Sequence, residues 1–305
     1  MNKRTLSVVI SVFNEEKNIK DCLEFVKFAD EIIVVDNGST DKTASIAEKY
    51  TKHIITQENN PLAIDYQKNI GFEKASKDLI LNIDADERVT AELKDEILSV
   101  LEKKDDVNVG YWIPRKNIIF KKWIQHSLWW PDYQLRLFKR GKGRFVKQSV
   151  HKPIEVDGQT AKLTSPLYHE NYSSISQYIQ KMNQIYTENE AEEFVQKHTI
   201  FHWQDAIGLP IGDFLKTFFL QKGYKDGFHG LALSILQAFY VELVVLKAWE
   251  KHGFVQYNEE NFVNKVNNEI RKSSKEFKFW LYATLIEETR NPLRKFIFRL
   301  KRRIK

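Results

Sequence analysis

The sequence predicts an α/β fold, with a mostly parallel sheet flanked by helices and a helical region at the carboxyl end. Two observations lead to this prediction. The first hundred residues repeat strand, polar turn and helix four times, and polar residues gather where each strand ends. From Ser173 onward, apolar residues recur at helical spacing instead. Strands that alternate with helices are typical of a parallel sheet with right-handed crossovers.

The four predicted strands are short apolar runs with little alternation, as expected of strands that are covered on both faces. They lie at Leu6–Val12, Ile32–Val35, His53–Gln57 and Leu79–Ile83.

Each strand is followed by a helix start signal. Asn14 is predicted to cap the first helix, and Ser39, Thr40 or Asp41 the second, which runs through Tyr50. The third helix opens at Asn60-Pro61, with Gly71 as its stop or as a point of close packing, and the fourth spans about Thr90 to Lys103.

Residues 107–156 form short β-like segments rich in aromatic residues, with a turn at Gly141–Gly143. The aromatic residues are either core or a platform for sugar rings. Beyond them we predict helices from Ser173, at Leu231–Trp249, at Glu259–Lys272 and at Glu276–Glu288. Charged residues interrupt the Leu231–Trp249 segment, which favours a packed or membrane-lying helix over a bilayer span. The predicted division is a catalytic domain over residues 1–200 and a helical region over 201–305.

Composition places the chain among folded globular proteins, since 42% of its 305 residues are hydrophobic and 29% are charged. The single Cys22 excludes an intramolecular disulfide and a cysteine zinc site, and it favours a reducing, cytosolic compartment. The amino terminus has no small-residue cleavage site, so we interpret it as a first strand and not as a signal peptide.

The net charge of +6 is concentrated at the carboxyl end. Residues 290–305 carry many basic side chains, no acidic ones, and interleaved apolar residues such as Phe296 and Leu300. This pattern predicts contact with an anionic membrane surface. A solvated basic end and a nucleic-acid patch are the alternatives.

Two carboxylates follow the fourth strand directly. Asp84 and Asp86 lie where open α/β sheets bind ligands, and strand alternation predicts that both point to the same side. Two such charges favour a hard divalent cation, Mg²⁺ or Mn²⁺, held together with substrate phosphates. The alternative is an ordinary acidic turn before the helix that starts near Val89.

Four segments, taken in order, resemble family 2 glycosyltransferases of the GT-A (Rossmann-like) fold: SVFNEE at 11–16, VVDNGSTDKT at 34–43, QKNIG at 67–71 and DADE at 84–87. The resemblance continues through WWPDYQLRLF at 129–138 and Val150-His151. Within the family, these segments are similar to the bacterial branch of heptose β-1,4-glucosyltransferases, which add a hexose to the lipopolysaccharide inner core.

The resemblance implies an inverting, metal-dependent hexosyltransferase with a UDP-sugar donor. The metal ligands would be Asp86, Asp84 and His151, with His169 as a further candidate. Asp132 would be the catalytic base that receives the acceptor proton, unless it only pairs with Arg136 or Arg115. The substrate-binding residues would be Phe13, Asn14, Glu15, Asp36, Gln67, Asn69, Asp84, Arg136 and Arg144.

The implied acceptor is a lipopolysaccharide-core or other lipid-linked saccharide, at the cytosolic face of the inner membrane. No nucleic-acid partner is expected. The alternatives are a lipid-carrier or polypeptide acceptor, a GT-A-like nucleotidyltransferase, or a membrane or nucleic-acid binding protein without activity. A nucleotidyltransferase usually has a basic, glycine-rich loop after the first strand, whereas Phe13-Asn14-Glu15-Glu16 is acidic.

Overall fold

The computed structural model describes residues 3–61, 63–103, 105–146, 153–197 and 200–303. The chain forms two compact units. The first contains the chain up to Trp123 together with Trp129–Ser174, and the second contains Ile124–Leu128 and the chain from Ile175 onward. The division at Ser174 differs from the sequence-based boundary near residue 200. One reason is that residues 175–197 pair within the second unit, where Glu188 lies 2.6 Å from Lys251 and 3.3 Å from Lys247.

The first unit is built on four parallel strands in the spatial order β3-β2-β1-β4. The apolar side chains of β1 and β4 and most of those of β2 are buried, as the apolar runs predicted, whereas Ile54 and Ile55 on the outermost strand, β3, are only half-buried. The strands are β1 (Leu6–Val12), β2 (Glu31–Asp36), β3 (His53–Thr56) and β4 (Leu79–Asp84).

The second and third helices that follow these strands are shorter than the sequence suggested, whereas the fourth has about its predicted bounds. The helical segments are α1 (Ile19–Phe25), α2 (Thr43–Ala47), a 3₁₀ turn at Tyr66–Lys68, α3 (Asn69–Lys74) and α4 (Ala91–Glu102). Gly71 lies inside α3 as a close-packing point, because an added Cβ would stand 2.5 Å from Val9 Cγ1. Thr90 caps α4 by accepting the N–H of Leu93 at 3.2 Å.

The prediction that Asn14 caps the first helix is wrong, because α1 begins at Ile19. Asn14 adopts a positive φ of 55°, and its Oδ1 accepts the N–H of Thr40 at 2.8 Å. Its own N–H donates to Ser39 Oγ at 2.9 Å. The residue therefore joins the loops that follow β1 and β2.

Beyond β4 the sheet becomes mixed, with the order continuing β4-β8-β6-β12-β5, and β7 and β11 also pair with β6. Strands β9 and β10 form a separate two-stranded sheet. β8 is antiparallel to both β4 and β6, whereas β12 is parallel to β6. The strands are β5 (Glu87–Val89), β6 (Gly110–Ile119), β7 (Lys122–Trp123), β8 (Asp132–Lys139), β9 (Gly143–Arg144), β10 (Glu155–Val156), β11 (Thr160–Lys162) and β12 (Leu167–Tyr172).

The second unit is helical, which confirms the predicted carboxyl-terminal helical region. A single helix replaces the two that were predicted over 259–288, and no Gly or Pro interrupts it. The helices are α5 (Ile175–Lys181), α6 (Thr187–Lys197), α7 (Asp205–Leu215), α8 (Phe228–Lys251), α9 (Phe262–Glu288) and α10 (Pro292–Arg303). π turns at Met182–Tyr186 and Lys216–Leu220 and a 3₁₀ turn at Gly223–Asp226 connect them.

In the part of the chain that the structure describes, α8 is the helix that is long and apolar enough to cross a bilayer. Length and composition alone support this, and core helices of soluble proteins meet the same criterion.

Candidate active site

The candidate site lies in the first unit, at the carboxyl end of β4. Asp84 is the last residue of that strand, and the chain turns through Ala85-Asp86 into β5. The N–H of Glu170 on β12 donates to the carbonyl of Asp86 at 3.0 Å, which fixes this turn against the neighbouring strand. The two aspartates therefore stand at the edge of the sheet where the sequence predicted a ligand site.

Asp84 is surrounded by positive charge. Lys68 Nζ lies 2.7 Å from its Oδ1, and Arg136 Nη2 lies 2.7 Å from its Oδ2. Burial would raise the pKa of Asp84, but Arg136 and Lys68 outweigh it and hold the pKa well below its usual range. Both oxygens are thus paired with protein cations. This differs from the expectation that Asp84 shares a metal ion with Asp86.

Lys68 was not among the predicted site residues, although it lies in the QKNIG segment. Its ammonium group also pairs with Asp65 at 2.9 Å. Burial would lower the pKa of Lys68, but Asp84 and Asp65 raise it above its usual value. The lysine is therefore a buried counter-ion for Asp84.

Glu87 is a second residue that the sequence-based site left out. Its side chain is fully buried, and its Oε2 accepts the N–H of Asp84 at 2.8 Å. Its Oε1 accepts from Arg136 at 2.7 Å and lies 3.8 Å from Arg115 Nη1. Arg136 was predicted to contact a phosphate, but it is buried between Asp84 and Glu87 and acts as an internal counter-ion.

Asp86 faces His169 on β12. Its Oδ2 lies 3.6 Å from His169 Nε2, and the other ring nitrogen, Nδ1, lies 2.7 Å from Asn117 Oδ1. A carboxylate suits Mn²⁺ or Mg²⁺, and an imidazole nitrogen is a ligand for transition-metal ions. Among the described residues, no three His, Cys, Asp or Glu side chains form a complete metal cage. The predicted ligand His151 lies outside the described residues.

Asp132, the predicted base, begins β8. Its Oδ2 accepts from Arg115 Nε at 2.8 Å and from Asn117 Nδ2 at 3.1 Å, and its Oδ1 accepts from Gln134 Nε2 at 2.8 Å. Burial would raise the pKa of Asp132, but Arg115 and the bonds from Gln134 and Asn117 lower it overall. The residue therefore pairs with Arg115 and is ionised at neutral pH.

The predicted nucleotide-binding residues follow β1 and β2. Phe13 is exposed, and the N–H of Glu15 donates to Thr43 Oγ1 at 2.7 Å. Asp36 is buried, and its Oδ1 accepts the N–H of Ser39 at 3.0 Å. Together with Asn14, these contacts tie the two loops into one unit at the same sheet edge as Asp84.

Three other predicted substrate residues have different surroundings. The amide of Gln67 bonds to the backbone of Glu58 and Asn60. The amide of Asn69 donates to and accepts from the backbone of Phe145, both at 2.9 Å. These two amides are engaged within the protein. Arg144 is exposed on β9, opposite Glu155.

Aromatic side chains lie close to Asp132 in sequence. Trp130 contacts Trp123 edge to face with ring centroids 5.3 Å apart, and Lys116 Nζ stands 4.6 Å from the centroid of the Trp123 ring. The peptide bond between Trp130 and Pro131 is cis. Lys162 Nζ lies 4.4 Å from the centroid of the Tyr133 ring.

Comparison with known proteins assigns the class. The model of glycosyl transferase family 2 matches residues 7–157. The chain is 30% identical over 249 residues to the uncharacterized glycosyltransferase RT0209 of Rickettsia typhi, an alignment that covers 77% of this chain and 84% of that protein. The chain belongs to glycosyl transferase family 2.

A further relative is the lipopolysaccharide core biosynthesis glycosyltransferase LpsC of Rhizobium meliloti, 28% identical over 261 residues, with 82% of this chain and 94% of LpsC covered. Among solved structures, glucosyl-3-phosphoglycerate synthase from Mycobacterium tuberculosis, in complex with Mn²⁺ and UDP-glucose, matches at 21% identity and a TM-score of 0.29. That match covers 37% of this chain, which spans 43% of the mycobacterial protein.

Proposed function

We propose that this glycosyltransferase is inverting and metal-dependent, and that it transfers a hexose from a UDP-sugar to a lipopolysaccharide-core or other lipid-linked saccharide. The observation that carries the proposal is the pairing of Asp86 with His169 beside Asp132, at the end of β4. The name of LpsC supports the choice of acceptor. Family membership favours a transferase over a nucleotidyltransferase or a protein without activity.

The metal ligands in this proposal are Asp86 and His169. Two protein ligands suit Mg²⁺ or Mn²⁺, which usually complete their shells with water and substrate phosphates. When bound, the ion would neutralise the charge of the departing diphosphate. Asp84 takes no part as a ligand, because Lys68 and Arg136 already compensate it. It orients the ribose instead, as the family resemblance implies.

Asp132 acts as the base. A bond forms between the acceptor oxygen and the anomeric carbon while the bond from that carbon to UDP breaks, and the electron pair leaves with the diphosphate. The acceptor proton passes to Asp132 Oδ1, which carries fewer hydrogen bonds than Oδ2. Attack from the face opposite the leaving group inverts the anomeric centre.

The aromatic residues beside Asp132 would hold the acceptor. Trp130 and Trp123 form an angled pair, and both are half-buried. Aromatic faces stack on the apolar C–H faces of sugars. The neighbouring Lys116 supplies positive charge for an anionic core saccharide.

The test is a donor screen by product mass, with purified truncated core saccharides as acceptors and Mn²⁺ present. Transfer from one UDP-hexose is the expected result, and the anomeric proton coupling constant of the product, measured by nuclear magnetic resonance, should show inversion. Absence of donor turnover, together with absence of calorimetric binding for every UDP-sugar tried, would refute the proposal. Asp132→Asn is the matched control: it should bind UDP-sugar normally and lose transfer by about a thousand-fold.

We further propose that α10 holds the protein on the cytosolic face of the inner membrane. Leu293, Phe296, Ile297 and Leu300 recur at helical spacing and are exposed. Arg294, Lys295, Arg299 and Lys301 are interleaved with them. An exposed apolar stripe with flanking basic residues suits an anionic bilayer surface.

Vesicle flotation tests this attachment. The wild-type protein should float with anionic vesicles and stay behind with zwitterionic ones, and a Leu293→Ser, Phe296→Ser, Leu300→Ser variant should not float. Val263→Ser, on the exposed surface of α9, is the control for loss of an exposed apolar residue. Equal flotation of the triple variant and the wild type would exclude α10 as the attachment.

A further inference from the structure

We propose that Asn117 is a positioning residue that fixes His169 with hydrogen on Nδ1, so that Nε2 presents its lone pair toward Asp86. The inference rests on the proposed function, in which His169 is a ligand. Asn117 lies on β6 and is fully buried. Its side chain contacts His169 at one end and Asp132 at the other, so one amide joins the proposed metal ligand to the proposed base.

The orientation of the Asn117 amide follows from its neighbours. The nitrogen Nδ2 lies 3.1 Å from the carbonyl oxygen of Trp129 and 3.1 Å from Asp132 Oδ2. A carbonyl and an ionised carboxylate only accept hydrogen bonds, so the group facing them must be the NH₂. The lowered pKa of Asp132 is consistent with the ionised state that this requires. The other end of the amide, which faces His169, is therefore the oxygen.

The state of the histidine follows in turn. Asn117 Oδ1 lies 2.7 Å from His169 Nδ1, and because an amide oxygen only accepts, Nδ1 must carry the hydrogen. In a neutral imidazole, Nε2 then carries the lone pair. That nitrogen lies 3.6 Å from Asp86 Oδ2, which is too long for a hydrogen bond. Metal-binding histidines typically show this arrangement, in which the second nitrogen donates to a neighbouring oxygen.

The strand register brings these groups together. Asn117 is paired with His169 in the β6–β12 ladder, and Arg115 is paired with Asp132 in the β6–β8 ladder. Residues 115 and 117 point to the same face of β6, because side chains alternate along a strand. The strand β6 thus supplies Arg115 and Asn117, the two groups that bond to Asp132 Oδ2, and Asn117 also orients His169.

The tautomer can be measured without metal or substrate. In ¹⁵N-histidine-labelled protein, a long-range ¹H–¹⁵N correlation spectrum distinguishes the two neutral tautomers, and His169→Gln assigns the signal. At about pH 8.5, above the ordinary imidazole pKa of about 6.5, the wild-type ring should carry hydrogen on Nδ1 alone. A ring with hydrogen on Nε2, or on both nitrogens, would overturn the proposal. Because this measurement needs no variant, the proposal stays testable even if substitutions at Asn117 fail to fold.

Two variants separate positioning from packing. Asn117→Leu keeps the side-chain size but cannot accept from His169, so the Nε2–H tautomer should become populated. Gln134→Leu removes a bond to the other oxygen of Asp132 without touching His169, and it should leave the tautomer unchanged. An unchanged tautomer in folded Asn117→Leu, or an equal change in both variants, would contradict the assignment.

Affinity for Mn²⁺ in the presence of UDP, followed by electron paramagnetic resonance, gives a second readout. Asn117→Leu should weaken Mn²⁺ binding by about ten-fold or more, and Gln134→Leu should not. Equal affinity in Asn117→Leu and wild type would refute the positioning role. If the wild type shows the Nδ1–H tautomer but binds no Mn²⁺, the proposed function fails while the orientation of His169 by Asn117 stands.

Discussion

Asp84 and Asp86 are separated by one alanine, yet their surroundings are opposite. Asp84 lies between Lys68 and Arg136, each at 2.7 Å, in a fully charged internal cluster. Asp86 faces the imidazole of His169 at 3.6 Å. The chemistry of a carboxylate is the same at both positions, so its neighbours decide its role. Asp84 is held by two protein cations, whereas Asp86 stands beside a histidine.

The largest effect should follow from changing Asp86. Asp86→Asn removes the charge that would hold the cation, and turnover should fall by about a thousand-fold, since several kcal/mol of transition-state stabilisation are lost. The thermal unfolding midpoint should barely change. Steady-state rates with Mn²⁺ and a UDP-sugar, together with a melting curve, check both points. A variant with near-normal rates would remove Asp86 from the metal site.

Changing Asp84 should mainly affect stability. Asp84→Asn removes the anion that the buried Lys68 and Arg136 share and leaves each with one carboxylate, Asp65 or Glu87, so the free energy of unfolding should drop by about 2 kcal/mol. Urea denaturation measures the change. Glu24→Gln is the matched control, because it removes an ion pair with Lys27 of 2.6 Å at the exposed surface and should have no measurable effect. Similar losses of unfolding free energy in both variants would show that the buried ion pairs of Asp84 stabilise the protein no more than the exposed pair of Glu24.

The positive charge of Arg115 beside Asp132 predicts how kcat/KM depends on pH. A base works when deprotonated, so activity is lost as the pH falls through its pKa, which Arg115 helps to lower in the wild type. Arg115→Met removes that charge, and the acid limb of kcat/KM should move up by about one pH unit. Profiles of both proteins from about pH 3 to pH 8 give the comparison, because the lowered pKa of Asp132 places the wild-type acid limb below the ordinary Asp value of about 3.9. An acid limb that stays in place would show that Asp132 is not the titrating base.

The smallest expected effect is the loss of the helix cap at Thr90, which serves as a reference for the loss expected at Asp84. Thr90→Ala removes the neutral hydrogen bond that caps α4, shortly after the two aspartates. The free energy of unfolding should fall by about 1 kcal/mol, clearly less than for Asp84→Asn. Urea denaturation of the two variants under the same conditions ranks a neutral bond against a charged cluster. If the cap proved the more costly loss, the buried ion pairs would contribute little.

The four parallel strands were predictable because each is centred on a short apolar run, and β1 was predicted with its observed bounds. The site edge followed from the polar residues at the strand ends. Helix starts were less predictable. Asparagine is a common helix cap, which is why Asn14 was predicted to cap the first helix. In the structure, its amide oxygen instead accepts a hydrogen bond from the N–H of Thr40, which lies in a loop more than twenty residues away. The prediction of two helices over 259–288 left residues 273–275 between them, yet Ser273 is buried within α9.

The residues of the candidate site also fall into those that the sequence predicted and those that only the structure revealed. Asp84, Asp86 and Asp132 stand in recognisable segments, so the sequence located the anionic groups. Lys68, Glu87 and Asn117 received no role from the sequence, because their function depends on which strand lies beside which. Arg115 was named only as one of two possible partners of Asp132, and the structure shows that it is the partner. No local pattern encodes that β6 pairs with both β8 and β12.

The sequence by itself determined the α/β class, the family and the position of the two aspartates, because apolar periodicity and short motifs are local properties of the chain. Only the tertiary structure decided that Lys68 and Arg136 neutralise Asp84, and that Asn117 stands between Asp132 and His169. Those assignments depend on distances between residues far apart in the chain. The energy of an electrostatic interaction depends on the distance between the charges in space and not on their separation along the sequence.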